Sequence, residues 1–172
     1  MRNAFVARGR ELLKRPWILA WLTFAAFAAQ AATEHRSLPA ARDFARDGVE
    51  ANSRGFPVLV LFSRPDCAWC ERVRREHLLP MLARTPAETS ALLRQVEVDG
   101  ELPLRDFDGG QTTHKAFAAR MNARLTPTLM FLGADGKPKA ETIVGYRLAD
   151  FYGAYIERAL EEARAAMQKE AR

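Results

Sequence analysis

Cysteine is scarce in this sequence. There are two in 172 residues, Cys67 and Cys70, beside three histidines, His35, His77 and His114. There is no second cysteine pair, and the histidines are scattered, so a four-ligand structural zinc site lacks its donors. Covalent haem attachment requires C-x-x-C-H; position 71 is Glu, which excludes it. A purely structural disulfide across two intervening residues would close too small a loop to stabilise much. Internal repeats and low-complexity tracts are absent beyond residue 31. So is a strong charge of either sign: the chain is +5, but its first 31 residues hold five cations and one acid. The remainder is close to neutral, and the basic balance is no argument for nucleic acid as a partner.

The N-terminal residues do not resemble a folded element. Arg2, Arg8, Arg10, Lys14 and Arg15 form a basic head, and Trp17 to Ala29 ("WILAWLTFAAFAA") is apolar and uncharged. Ala29-Gln30-Ala31 is a small-x-small step. Together these predict a secretory signal over residues 1–31, cleaved after Ala31. The alternative is an uncleaved membrane anchor, although the run falls short of the ~20 apolar residues of a spanning helix. Residues 32–40 are expected to be a linker and residues 41–172 a single domain.

Within that domain, Phe44, Ala45 and Val49 fall near helical spacing over residues 41–53, before Gly55 and Pro57. Val58 to Phe62 ("VLVLF") predicts a strand covered on both faces. A helix follows from about Cys67 to Ala83, with Asp66 as its expected N-cap and Pro80 expected to kink it. Its inward stripe is Cys70, Val73, His77, Leu78, Met81 and Leu82, and Glu71, Arg72, Arg74, Arg75 and Glu76 form a solvated face. Leu92 to Val98 predicts a second strand and residues 99–112 a long acidic loop. The stretch Asp106-Phe107-Asp108-Gly109 lacks the rest of a calcium loop and is expected to be a turn beside the active face. A helix over 113–123, a strand at Thr128 to Leu132, a turn at Ala134 to Lys137 and a partner strand at 140–144 complete the middle. Leu148, Phe151, Tyr152, Tyr155, Ile156, Ala159, Leu160 and Ala163 predict a long amphipathic final helix, frayed after Glu161. The fold class is α/β: one mixed central sheet with helices on both faces.

The cysteine pair therefore stands where a core strand delivers the chain into a helix. At a helix N-terminus, unpaired N–H groups and the dipole favour thiolate at Cys67. In C-x-x-C motifs the thiol pKa falls from about 8.5 to roughly 3.5–7.5. Arg64 adds a cation, and Asp66 opposes it. Cys70, one turn on and pointing inward, is placed to attack a mixed disulfide on Cys67.

Cys67-Ala68-Trp69-Cys70 after a strand, Thr126-Pro127-Thr128 entering a later strand, a hairpin, and Gly145 before a final helix together resemble the thioredoxin superfamily. The resemblance spans most of residues 41–165. It implies a thioredoxin fold, Cys67 and Cys70 as the catalytic redox-active disulfide with no other cofactor, and no metal. It implies a cis Pro127 beside that disulfide, with Thr126 and Pro127 pairing with the backbone of a protein substrate, and Trp69 as part of an apolar substrate surface. "RREHLLP" after the motif and "TPTLMFLGADGK" followed by "VGY" are most similar to periplasmic thioredoxin-related proteins of the SoxW type. That resemblance implies a periplasmic monomer that reduces protein disulfides and draws electrons from a membrane thiol donor of the DsbD or CcdA type. Leu61 stands where cytoplasmic thioredoxins carry a buried Asp, so Cys70 lacks that built-in base, and Glu71 or water are candidate substitutes. No His lies between the cysteines, and 57 positions from Cys70 to Pro127 leave no room for the large helical insertion of DsbA-type oxidases. Two other classes remain open: a non-catalytic thioredoxin-fold binding or chaperone module, and a metal chaperone using the same pair.

Overall fold

The computed structural model describes residues 37–84 and 86–170. The expected signal at 1–31 and its cleavage point lie outside the described residues.

The first helix, α1 (Phe44–Ser53), is capped by Asp43, whose carboxylate accepts from the Arg46 N–H. Strand β1 (Val58–Ser63) is buried along its whole length. Helix α2 has three continuous parts: an α segment (Ala68–Val73), a π turn (Arg74–Leu78) and a last α turn (Leu79–Leu82). The short α3 (Pro86–Thr89) precedes β2 (Leu92–Glu97). Strands β3 (Pro103–Arg105) and β4 (Gln111–Thr113) lead into α4 (His114–Arg120), then β5 (Thr128–Leu132) and β6 (Ile143–Val144). A 3-10 turn (Ala149–Phe151) opens into α5 (Tyr152–Glu170).

The main sheet has the order β2-β1-β5-β6. β1 runs parallel to β2 and antiparallel to β5, and β6 is antiparallel to β5. Side chains alternate across β1. Leu59 and Leu61 join Leu129, Phe131, Val73 and Leu78 with Tyr152 and Ile156 of α5 on one face. Val58, Val60 and Phe62 join Phe44 of α1, Phe117 of α4 and Leu132 on the other. Phe44 stacks on Phe107 with ring centroids 4.7 Å apart. Burying each such aromatic or aliphatic side chain contributes roughly 1.5–3 kcal/mol, which explains why β1 carries no polar residue before Ser63.

Several expectations are corrected. Residues 99–112 are not one loop: β3 and β4 pair as a ribbon, Leu104 opposite Thr112. The Asp106 to Gly110 turn closes it, with the Asp106 N–H donating to the Gly110 carbonyl. That turn lies away from the cysteines, because Phe107 packs on Gly136, beyond the far end of β5. Val49 is exposed; α1 turns Phe44, Asp47, Gly48 and Ala51 inward instead. Leu148, Phe151 and Tyr155 are exposed too, because Leu148 is left-handed and the 3-10 turn shifts the phase before Tyr152. The helix end does not fray within the described residues: Met167 is buried and Lys139 bonds Glu170 at 2.7 Å. Leu38 and Ala40, expected in the linker, belong to the packed body. Leu38 is buried, and Gln95 donates its N–H to the Pro39 carbonyl.

Pro80 acts one turn earlier than its own position. It has no N–H to offer the Glu76 carbonyl. The chain widens into the π turn, and the Leu79 N–H bonds Arg74 O, five residues back.

Candidate active site

Cys67 and Cys70 form a disulfide, with S–S 2.02 Å and Cα atoms 5.2 Å apart. The N-cap of α2 is Cys67 itself, not Asp66: its sulfur accepts from the Cys70 N–H at 3.1 Å. Asp66 lies exposed in the turn before it. Cys67 is half-buried, whereas Cys70 is fully enclosed. The two sulfurs thus differ in access, the first open to another molecule and the second reached only from Cys67.

Phe62 lies opposite Thr128 in the β1–β5 register. The end of β1 that feeds the cysteine turn is therefore the end at which Thr126 and Pro127 enter β5. The Thr126–Pro127 peptide bond is cis. Pro127 is buried and Thr126 half-buried. The Pro127 carbonyl accepts from the Gly145 N–H at 2.7 Å, and Thr128 Oγ1 donates to the Leu125 carbonyl at 2.8 Å. The turn before β5 is thus held from both sides.

Trp69 is 55% exposed, and its indole stacks on Tyr146, with centroids 5.6 Å apart and planes 24° apart. Sequence reasoning missed Tyr146. The available signal was an aromatic residue directly after Gly145 at the turn that ends β6. Leu125 and Val144, exposed at 65% and 43%, extend apolar surface along the same end of the sheet.

The charges near the motif are arranged differently from expectation. Arg64 faces Asp99 at 3.8 Å, so its cation is shared with a carboxylate. Arg74 does not sit on a solvated face. Its guanidinium bonds Gln95 Oε1 at 2.9 Å and Ser63 Oγ at 3.2 Å, and pairs with Glu71. Glu71, a candidate base for Cys70, is therefore engaged by a cation. Leu61 is buried in the core, so no carboxylate stands at that position. Arg72 holds Glu76 through a hydrogen bond at 3.0 Å, which draws the Glu76 carboxyl below its usual range. His77 is packed: it lies against Tyr152 and Tyr146, and burial lowers its pKa. His114 is also structural, accepting from the Glu97 N–H at 3.0 Å and lying 2.7 Å from the Ala41 carbonyl. Among the described residues no three His, Cys, Asp or Glu side chains cluster as metal ligands.

A mixed sheet between two helical layers, with a disulfide at the mouth of the second helix and a cis proline at the same sheet end, defines a thioredoxin-like fold. The chain belongs to the thioredoxin-like family, whose "Thioredoxin-like domain" model matches residues 44–160. Among solved structures it is similar to a DsbH oxidoreductase at 16% identity, covering 90% of this chain and 95% of that one, with a TM-score of 0.51. It is also similar to mitochondrial thioredoxin 3 of Saccharomyces cerevisiae, oxidised form, at 13% identity over 74% of this chain and 97% of that one, TM-score 0.47. The periplasmic thioredoxin SoxS of Paracoccus pantotrophus, reduced form, matches at 18% identity over 62% and 97%, TM-score 0.43. No curated protein matches significantly.

Proposed function

We propose that this protein is an exported thiol–disulfide oxidoreductase that reduces disulfides in protein substrates. The observation that carries the reading is the unequal access of its two sulfurs: Cys67 caps α2 and is half-buried, Cys70 is enclosed one turn on. In the reduced enzyme the Cys67 thiolate attacks one sulfur of a substrate disulfide and releases the other as a thiolate. Cys70, deprotonated, then attacks Cys67 of the mixed disulfide. The second substrate sulfur leaves, and the Cys67–Cys70 bond re-forms. Two electrons pass to the substrate, whose thiolates take protons from water.

Thr126 and Pro127 orient the substrate backbone, and Trp69 with Leu125 and Val144 supplies an apolar contact surface. The direction of reduction is supported by the connection from α2 to β5, which holds α3, one strand, a small ribbon and α4, with no added helical domain. Export, a periplasmic location and a SoxW-type role are carried by the leader pattern of residues 1–31 and by the motif resemblance. A reductase outside the cytoplasm requires an outside source of electrons, here a membrane thiol donor of the DsbD or CcdA type. The test is turnover: the reduced protein reduces insulin, and Cys67→Ser abolishes this. Undiminished turnover in Cys67→Ser would overturn the Cys67 mechanism, and reduced wild-type protein that leaves insulin intact would overturn the reading in favour of a binding module.

A further inference from the structure

Tyr146 has more partners than a surface tyrosine on a loop requires. Its ring lies against Trp69 on the cysteine turn and against Tyr152 of α5, with centroids 5.6 and 4.6 Å away. The Arg72 guanidinium stands 5.2 Å from the ring centroid, and the hydroxyl donates to Glu76 Oε2 at 3.2 Å. His77 closes a further side at 6.1 Å. The residue before it, Gly145, adopts a φ of 76° and donates its N–H to the Pro127 carbonyl. Two neighbouring residues thus tie together the cysteine turn, the outer face of α2, α5 and the proline loop.

Trp69 has the opposite character. It is more than half exposed, and its stack on Tyr146 is the one aromatic contact seen for it among the described residues. An unsupported indole at the second residue of α2 would sample several rotamers, and each would have to be given up when substrate docks. A face held in place before the encounter avoids that cost.

We propose that Tyr146 is a positioning residue for substrate selection: it fixes the Trp69 indole as an apolar platform beside Cys67 and keeps that platform in register with Pro127. The platform favours protein disulfides flanked by apolar or aromatic side chains over small hydrophilic disulfides. This inference rests on the reductase reading above, and the experiment separates the two.

The full-length protein, reduced, is assayed for turnover of insulin disulfides and, in parallel, of hydroxyethyl disulfide, which carries no apolar flanking side chain for the platform to hold. Tyr146→Leu is expected to raise KM for the protein substrate about fivefold with kcat unchanged, and to leave the hydroxyethyl disulfide rate unaltered. Tyr146→Phe, which keeps the ring, restores the low KM. Trp69→Ala raises KM as Tyr146→Leu does, and the double variant is no worse than Trp69→Ala alone, because both act through one indole. Additive losses in the double variant, or an equal loss on both substrates, would overturn the positioning role. An unchanged KM in Trp69→Ala would overturn the platform itself, and that exposed position keeps the test decisive even where Tyr146→Leu unfolds. Loss of the reductase reading would show separately, as reduced wild-type protein that leaves insulin intact.

Discussion

Asp47 of α1 and Arg94 of β2 meet in a two-pronged ion pair, Nε to Oδ2 at 2.7 Å and Nη2 to Oδ1 at 2.6 Å. Asp47 is buried and Arg94 half-buried. Removing one partner strands the other's charge away from full hydration. Asp47→Ala is expected to cost about 2 kcal/mol, below the range for fully buried pairs because Arg94 keeps some contact with water. Urea unfolding at neutral pH measures it, and a midpoint equal to wild type would refute the assignment. Asp47→Ala combined with Arg94→Met should recover part of the loss.

Gly136 and Gly55 offer a controlled comparison. Both have positive φ, 72° and 68°. A Cβ at Gly136 would meet Phe107 Cδ2 at 2.8 Å, whereas at Gly55 it meets nothing within 4 Å. Gly55→Ala should cost about 1 kcal/mol from backbone strain alone. Gly136→Ala should cost about 1–3 kcal/mol more, because the ring cannot retreat from its stack on Phe44. Equal melting temperatures for the two variants would contradict this packing.

Burial lowers the pKa of His77 from its ordinary 6.5. The unfolded chain therefore binds this proton at a higher pH than the folded one. Stability is unaffected well above 6.5, falls as pH drops below it, and levels off under the folded pKa. His77→Gln should flatten unfolding free energy between about pH 7 and 5. The carboxylates with lowered pKa values, Glu76 and Asp135, act below 4.5 and leave that window clear. A wild-type slope persisting in His77→Gln would assign the effect elsewhere.

The Ala68-Trp69 dipeptide brings no imidazole to stabilise a reduced thiolate, and Arg64 shares its charge with Asp99. Equilibration of the cysteine pair against glutathione should therefore give a potential near thioredoxin's, about −270 mV, rather than DsbA's, about −120 mV. A value more oxidising than about −180 mV would remove the reductase assignment.

β1 and β5 were legible because their apolar runs, five residues at Val58 to Phe62 and four at Leu129 to Leu132, are too short for a buried helix and are bounded by turn residues. The cysteine turn was legible for a related reason, since it lay between that strand and a helical pattern. Three features escaped. The β3–β4 ribbon has three-residue strands in a polar stretch, where side-chain alternation is too short to register. The outward turn of Val49, Leu148, Phe151 and Tyr155 depends on where each helix is phased, which spacing alone leaves free. Arg74 looked solvated because its partners Ser63 and Gln95, 11 and 21 residues away, lie on strands outside its own helix. Tyr146 was hidden in the same way: its ring contacts fall on Trp69, His77 and Tyr152, and only the fold brings the first two near it.

The lacing of residues 39–41 along β2 also bears on how the molecule meets its own copies. Ala41 donates to the Gln95 carbonyl at 2.8 Å and Gln95 donates to Pro39 at 2.9 Å, so the outer rim of β2 is occupied at its midpoint. At the opposite rim, β6 is two residues long. A bare, lengthy strand rim invites another chain to add itself and continue the ladder into a fibre. Here one rim is blocked at its midpoint and the other is too brief to seed a second strand, which suits the proposed handling of other chains as they lose their cross-links.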